Sequence, residues 1–321
     1  MKLGIIGTNF ISDNLIAASR RVSEISPFAV LSRKEETGKA FAEKHGIPCV
    51  FTEMEDFLAS GVEAVYVASP NACHKEQAKA ALLRGISVLL EKPMTLSLYD
   101  TEELFSIAET TGAVLMEAMR PVHDPAWAAV AEHLDEIGML RSVHLEFCQY
   151  SSRYDKFRVG IVENAFNPAL GNAAVMDIGV YPLHMAAYLF GRPLGVRCAS
   201  VFLENGFEGA GNAILTYEGG FLVDVAWSKI TQSKNPSVFL GEDGSITVDK
   251  ISSPSKVELC VKGKDPVLLP TSPEENNMDC ELRAFLRCMA GDTAMISRTR
   301  DASVNCAAIV DAIKFASNIR F

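Results

Sequence analysis

Met1-Lys2-Leu3-Gly4-Ile5-Ile6-Gly7-Thr8-Asn9-Phe10-Ile11-Ser12 opens the chain with a short apolar run, a glycine where the run stops, and the first residues of a helical pattern. That alternation recurs up to residue 120. The apolar runs are Leu3 to Ile6, Phe28 to Leu31, Ala64 to Ala68, Ile86 to Leu90 and Ala113 to Met116; the helical segments fall near residues 10 to 20, 33 to 45, 72 to 84 and 97 to 110. Repeated strand-helix-strand units build a parallel sheet with helices on both faces. Asn71 and Ser97 are the expected N-caps of the last two helices. Residues 1–120 are thus expected to form a doubly wound α/β domain.

Beyond residue 120 the pattern changes. Helical periodicity at 125 to 137 and 173 to 190 gives way to strand-like stretches near 141 to 150, 194 to 204, 210 to 217, 221 to 228, 236 to 240, 245 to 249 and 256 to 261, and helices are expected at 276 to 290 and 301 to 318. Glu218-Gly219-Gly220 and Glu242-Asp243-Gly244 separate neighbouring strands as hairpin turns. Residues 121–321 are therefore expected to form an α+β domain on an open, mainly antiparallel sheet, which binds substrate and mediates oligomerisation. Phe202, Leu215, Phe221, Val223, Val225 and Trp227 supply an apolar sheet face, through which a homodimer or homotetramer is expected.

Composition agrees with two globular domains. The chain has 321 residues, longer than one core usually serves, and 48% of them are hydrophobic. A net charge of -10 disfavours nonspecific binding to nucleic acid or an anionic membrane. No apolar run is read as approaching the roughly 18 residues of a membrane span, and the N-terminus reads as a strand rather than a signal segment, so a cytoplasmic protein is expected. The eight cysteines show no C-x-x-C spacing, and no metal site is expected.

The turn Gly7-Thr8-Asn9-Phe10-Ile11-Ser12 lies where a dinucleotide fold places its phosphate-binding loop. Of a G-x-G-x-x-G pattern it keeps the first glycine, with Asn9 and Ser12 in the other two places; Asn is expected there for its tolerance of positive φ, and Ser for its small size. At the end of the second strand an NAD site usually offers a carboxylate, but this chain has Ser32-Arg33-Lys34, which suits a 2'-phosphate. NADP is favoured, with NAD possible. Ser69-Pro70-Asn71 and His74 follow another strand and are assigned to the nicotinamide-ribose side, His74 as a supporting rather than a catalytic residue. Glu91-Lys92-Pro93 closes the apolar run Ile86 to Leu90 and places an ammonium on a rigid support.

Taken together, the Gly-Thr-x-x-Ile turn, Ser32-Arg33, Ser69-Pro70-Asn71-Ala72-Cys73-His74, Glu91-Lys92-Pro93, Met116-Glu117-Ala118 and Asp177-Ile178-Gly179-Val180-Tyr181-Pro182-Leu183-His184 resemble the glucose-fructose oxidoreductase, inositol dehydrogenase and rhizopine-catabolism family, Gfo/Idh/MocA. The resemblance spans the chain and is nearest to the dihydrodiol dehydrogenase-like branch. It implies an N-terminal Rossmann domain, a C-terminal substrate domain, and NAD(P)-dependent hydride transfer to or from a CH-OH group of a sugar, cyclic polyol or dihydrodiol. Tyr181 is the expected acid-base residue, with Lys92 supplying the positive charge a phenol needs near neutrality. Inositol dehydrogenase relatives carry a histidine at that place, so their assignment does not transfer unchanged. Asp177 is expected to orient substrate or Lys92; His184, Arg120 and Asn164 are weaker substrate candidates. Two other readings stand beside this one: nicotinamide-assisted elimination or glycoside cleavage without net redox change, and a noncatalytic NADP-sensing regulator.

Overall fold

Leu3, Ile5 and Ile6, the first apolar residues of the chain, lie buried at the centre of a six-stranded parallel sheet. The computed structural model describes residues 1–272 and 274–321, in two units: Met1–Ala118 with Asn276–Arg300, and Met119–Glu275 with Asp301–Phe321. The first unit alternates β1 (Lys2–Ile6), α1 (Phe10–Ser19), β2 (Ser26–Leu31), α2 (Glu35–His45), β3 (Cys49–Phe51), α3 (Met54–Ala59), β4 (Ala64–Val67), α4 (Asn71–Leu82), β5 (Ser87–Glu91), α5 (Leu98–Thr111) and β6 (Leu115–Ala118). The strand order is β3-β2-β1-β4-β5-β6. This is the order of dinucleotide-binding sheets, and it reverses direction between β1 and β4, where ligands bind at the carboxyl edge.

Two elements of this unit have no sequence signal. β3 has three residues, none fully buried, and α3 has six, both too short to show a period. Ser97 caps α5 as expected, its hydroxyl accepting from the Asp100 N–H at 3.1 Å. Asn71 does not cap α4; Pro70 holds that position with φ -60°, and Asn71 is the first helical residue.

The second unit begins with α6 (Pro125–His133), β7 (Leu140–Cys148) and α7 (Tyr154–Arg158), followed by a π-helical turn over Val175–Gly179 that leads into α8 (Val180–Phe190). Seven strands follow: β8 (Gly195–Phe202), β9 (Glu208–Thr216), β10 (Leu222–Ser228), β11 (Ser237–Gly241), β12 (Gly244–Val248), β13 (Val257–Val261) and β14 (Val267–Leu269). They join β7 in an eight-stranded sheet of order β14-β13-β12-β11-β7-β10-β9-β8. Every pairing is antiparallel except β7 with β10.

The apolar sheet face expected to be open is the covered one. Leu215, Val223, Val225 and Trp227 are buried, on the face where α8 packs against β7 and β10, while Phe202 is exposed at a strand end and Phe221 stacks on Tyr217. Strand residues alternate between faces, so the set with the greatest apolar area faces the helix layer. The opposite face carries exposed Ile214, Leu222 and Leu240 beside His144 and Asp224.

The stretch Pro168–Phe190 is long and apolar enough to cross a membrane by length and composition, contrary to the sequence expectation. Asn172, Asp177 and His184 interrupt it and hide it as a run. Buried over 72% of its most apolar window, it is a core helix of its unit.

α9 (Met278–Met289) belongs to the first unit, where Met278, Leu282, Phe285 and Cys288 share a core with Leu15 and Ile16 of α1. Arg21, just past the end of α1, adds an ion pair with Asp279 of α9 at 2.6 Å. α10 (Thr293–Ser317) passes from the first unit into the second at residue 300. The first unit thus combines residues 1–118 with 276–300, and the second residues 119–275 with 301–321.

Candidate active site

In the first unit the residues singled out by the sequence gather at the carboxyl edge of the parallel sheet. Gly7, just after β1, has φ +104°, and a Cβ there would lie 2.6 Å from the Ala68 carbonyl oxygen. Only glycine fits, and the turn stays bare of side chain. Asn9 does not adopt positive φ; its backbone is extended (φ -93°), and it caps α1, accepting from the N–H groups of Ile11 at 3.1 Å and Ser12 at 3.2 Å. Its amide also donates to Ala68 O at 2.7 Å, so the carboxamide spans the β1/β4 switch point. Ser12 Oγ donates back to Gly7 O at 2.9 Å. Thr8 is half-buried, Phe10 exposed and Ile11 half-buried on this rim.

Ser32 and Arg33 separate in role. The Ser32 hydroxyl is buried and gives its proton to Lys34 O at 3.0 Å, whereas Arg33 is exposed and makes no hydrogen bond or ion pair among the described residues. Lys34 occupies the N-cap position of α2 without a side-chain cap bond.

His74 is buried at 1% exposure, with Nδ1 at 2.9 Å from Pro93 O and Nε2 at 2.9 Å from Ser69 O. It braces the turn after β4 against the turn after β5. Burial lowers its pKa, with the nearby Lys92 charge acting in the same direction, while the two carbonyls and Glu117 oppose the shift. With both ring nitrogens engaged by backbone carbonyls, the ring is a supporting group. Two buried carboxylates fix the Glu91-Lys92-Pro93 segment: Glu91 accepts from Tyr66 OH at 2.5 Å and from the Lys92 N–H at 3.1 Å, and Glu117 accepts from the Met94 N–H at 2.9 Å. Lys92 is thereby held on a rigid backbone, half-exposed, ahead of a cis bond to Pro93.

In the second unit Asp177 lies within the π-helical turn, a rare form that recurs at functional sites. It pairs with Lys229 at 2.7 Å. Tyr181, four residues on, is half-exposed and meets the Phe147 ring edge-on at 5.3 Å. His184 is only 1% exposed, its Nε2 at 3.5 Å from Ser303 Oγ of α10. Asn164 is exposed and opens a 3-10 turn, its carbonyl accepting from Asn172 Nδ2 at 2.8 Å. Arg120 opens another such turn, and its Nε has no hydrogen-bond partner among the described residues.

Two residues of this unit, Lys229 and Glu208, were missed by sequence reasoning, and a third, Trp227, was read only as part of an apolar sheet face. Lys229 is 4% exposed at the end of β10; its Nζ also donates to Ala165 O at 3.1 Å and stands over the rings of Phe166 and Phe207. Glu208 is 1% exposed and accepts from Trp227 Nε1 at 2.7 Å and the Val175 N–H at 2.8 Å. Burial pushes its carboxyl up to about 7 against the pull of those donors and of the Lys229 charge. Trp227 is clamped by two glycines: a Cβ at Gly211 would lie 2.4 Å from its ring and one at Gly179 2.9 Å. Charge at the end of an apolar strand was the one available signal, and in Trp227-Ser228-Lys229 it reads as an ordinary strand terminus. The connection from Arg153 to Gly171 contains α7 and two 3-10 turns, with Tyr154, Phe157 and Phe166 packed on Phe207.

A strand-turn-helix site of this kind, on a sheet of this order, defines a dinucleotide-dependent oxidoreductase class. The family described as "Oxidoreductase family, NAD-binding Rossmann fold" matches residues 1–119, and the GFO/IDH/MocA C-terminal domain matches residues 127–247. The chain belongs to the Gfo/Idh/MocA oxidoreductase family, as the motifs implied. It is 42% identical over 260 residues to the scyllo-inositol 2-dehydrogenase (NADP(+)) IolU of Bacillus subtilis (strain 168), covering 81% of this chain and 79% of that protein. It is 26% identical over 271 residues to the trans-1,2-dihydrobenzene-1,2-diol dehydrogenase of Mus musculus, covering 82% and 78%. Among solved structures, KijD10, a 3-ketoreductase from Actinomadura kijaniata in complex with NADP and TDP-benzene, matches with a TM-score of 0.82 at 25% identity, over 99% of this chain and 98% of that one. The residues of the first unit fit a dinucleotide: the bare turn at Gly7 permits close approach to backbone N–H groups, and Arg33 is available to an anion.

Proposed function

We propose that this protein is an NADP-dependent dehydrogenase of a cyclic polyol or sugar, with scyllo-inositol, the substrate in the name of the relative IolU, as the first candidate. The observation that carries the reading is the end of β2, where the exposed Arg33 stands in place of the carboxylate an NAD site uses for the ribose, in a chain 42% identical to an NADP(+) enzyme. Thr8, Asn9 and Phe10 hold the pyrophosphate through backbone N–H groups at the start of α1, with Gly7 keeping the turn bare and Ile11 fixed to the Asn9 carboxamide beside it, and Arg33, helped by Ser32 and Lys34, takes the 2'-phosphate. Ser69, Pro70, Asn71, His74 and Glu91 shape the nicotinamide-ribose side. When bound, the nicotinamide supplies hydride acceptor and donor chemistry.

The chain's own residues handle the proton. Tyr181 takes the hydroxyl proton during oxidation and returns it during reduction, Lys92 supplies positive charge for the developing alkoxide, and Asp177 orients the reacting hydroxyl. Arg120 and Asn164 are available to further substrate hydroxyls. The enzyme works as a homo-oligomer through the outer face of the eight-stranded sheet, at Ile214, Leu222 and Leu240.

The test follows NADP reduction with a panel of inositols, aldoses and dihydrodiols. Tyr181→Phe and Lys92→Met are each expected to lower turnover roughly 10² to 10⁴-fold; Arg33→Ala should raise KM for NADP roughly 10- to 100-fold and leave KM for NAD unchanged. Near-normal turnover in both Tyr181→Phe and Lys92→Met would overturn the assignment.

A further inference from the structure

Lys229 is a buried cation to which the mechanism above gives no part. Its backbone is fixed on both sides, its N–H donating to Gly209 O at 2.9 Å and its carbonyl accepting from the Ser151 N–H at 2.9 Å. From that anchored strand end the side chain reaches two segments far from it in sequence, the Asp177 carboxylate at 2.7 Å and the Ala165 carbonyl at 3.1 Å. Phe166 and Phe207, with ring centroids 4.9 and 5.5 Å from Nζ, face the ammonium and help replace the water it has lost. The Asp177 side chain is 40% exposed against 5% for Lys229, so the pair lies with its cation inside and its carboxylate nearer the surface. Glu208, on the adjoining strand, is a second acidic group near enough to interact with Lys229, and its oxygens are engaged by Trp227 and Val175.

A lysine almost never sits buried without paired charge, and removing one partner of a buried pair costs more than the pair itself contributes. Here the partner is the carboxylate assigned to the reacting hydroxyl, and the same ammonium holds the connection that carries Asn164. We infer that Lys229 is a positioning residue: it aims the Asp177 carboxylate and ties the 164–166 turn to it, so that one buried ammonium sets the geometry of the polyol-binding side. This rests on the reading of Asp177 given above. Lys229 touches no substrate and acts through Asp177 and Ala165.

The experiment measures kcat and KM with a cyclic polyol and NADP for Lys229→Met, Lys229→Arg, Asp177→Asn and the double variant Lys229→Met/Asp177→Asn, together with NADPH affinity. Lys229→Met should raise KM for the polyol roughly tenfold or more, with NADPH affinity held within about twofold. Lys229→Arg should recover most of the loss, and the double variant should be no worse than Asp177→Asn, because both changes remove one interaction. Unchanged KM in a folded Lys229→Met protein, or losses that add in the double variant, would overturn the inference. If the wild-type enzyme oxidises no polyol, the reading of Asp177 fails by itself, and two other measurements still decide the part of Lys229. They are limited proteolysis of residues 159–163 and the thermal-unfolding coupling between positions 177 and 229. Faster cleavage in Lys229→Met and non-additive unfolding temperatures support the inference; unchanged cleavage and additive shifts refute it.

Discussion

Glu208 ties the stability of the second unit to pH. Its folded pKa of about 7 lies above the ordinary carboxylate value of 4.5, because burial penalises the charged form more than the donors of Trp227 and Val175 reward it. A raised carboxyl favours the folded state fully below about pH 4.5, and this contribution is lost as pH rises through about 7. The difference amounts to roughly 3 kcal/mol between those limits. Glu208→Gln is expected to flatten the fall in unfolding temperature between pH 5 and 8 relative to the wild type; parallel curves for the two proteins would show that Glu208 does not govern it. Legibility at this scale divides by range. Lys92 and Tyr181 sit in local patterns that announce themselves, a charged pair closing a strand and a spaced polar set on a helix. Glu208 and Lys229 acquire meaning only from segments brought to them by the fold, Ala165 lying 64 residues from Lys229. Asn9 was explained wrongly: its carboxamide, rather than a left-handed backbone, is what the turn uses.

Elements with a full period were legible, and short ones were not. β1, α1 and Gly7 could be read from twelve residues because a buried strand, a glycine forced by the Ala68 carbonyl and a capped helix each leave a local mark. β3, α3 and β14 left none at three, six and three residues. The sheet of the second unit shows a different limit: alternation reveals that a strand has two faces without saying which one the helices cover. The larger apolar set went under α8, and Ile214, Leu222 and Leu240 remained exposed on the other side with the His144 and Asp224 pair. An exposed apolar group framed by charge is the surface proposed for self-association. Leu222→Asp should convert the oligomer to monomer by light scattering while preserving the circular dichroism spectrum. A monomeric wild type, or an unchanged mass in the variant, would remove this face from the account.

Over the whole molecule, two folding units of the expected classes hold the two halves of the proposed chemistry, nucleotide contacts in the first and Asp177 with Tyr181 in the second. A change of pattern near residue 120 was visible in the sequence. The assignment of α9 was not, because its amphipathic face fits any apolar partner, and only the fold shows that Leu15 and Ile16, from the start of the chain, provide it. Family membership narrows the chemistry to nicotinamide-dependent oxidoreduction without choosing between net oxidation and redox-neutral elimination, since both begin on one scaffold. The direct measurement is the fate of the carbinol hydrogen. The purified enzyme is given NADP and a cyclic polyol carrying deuterium on the reacting carbon, and NADPH and product are examined by NMR. Net dehydrogenation requires one deuterium in each NADPH formed and an equal amount of ketone. Unlabelled NADPH, or a product formed with no accumulation of NADPH, would contradict the account.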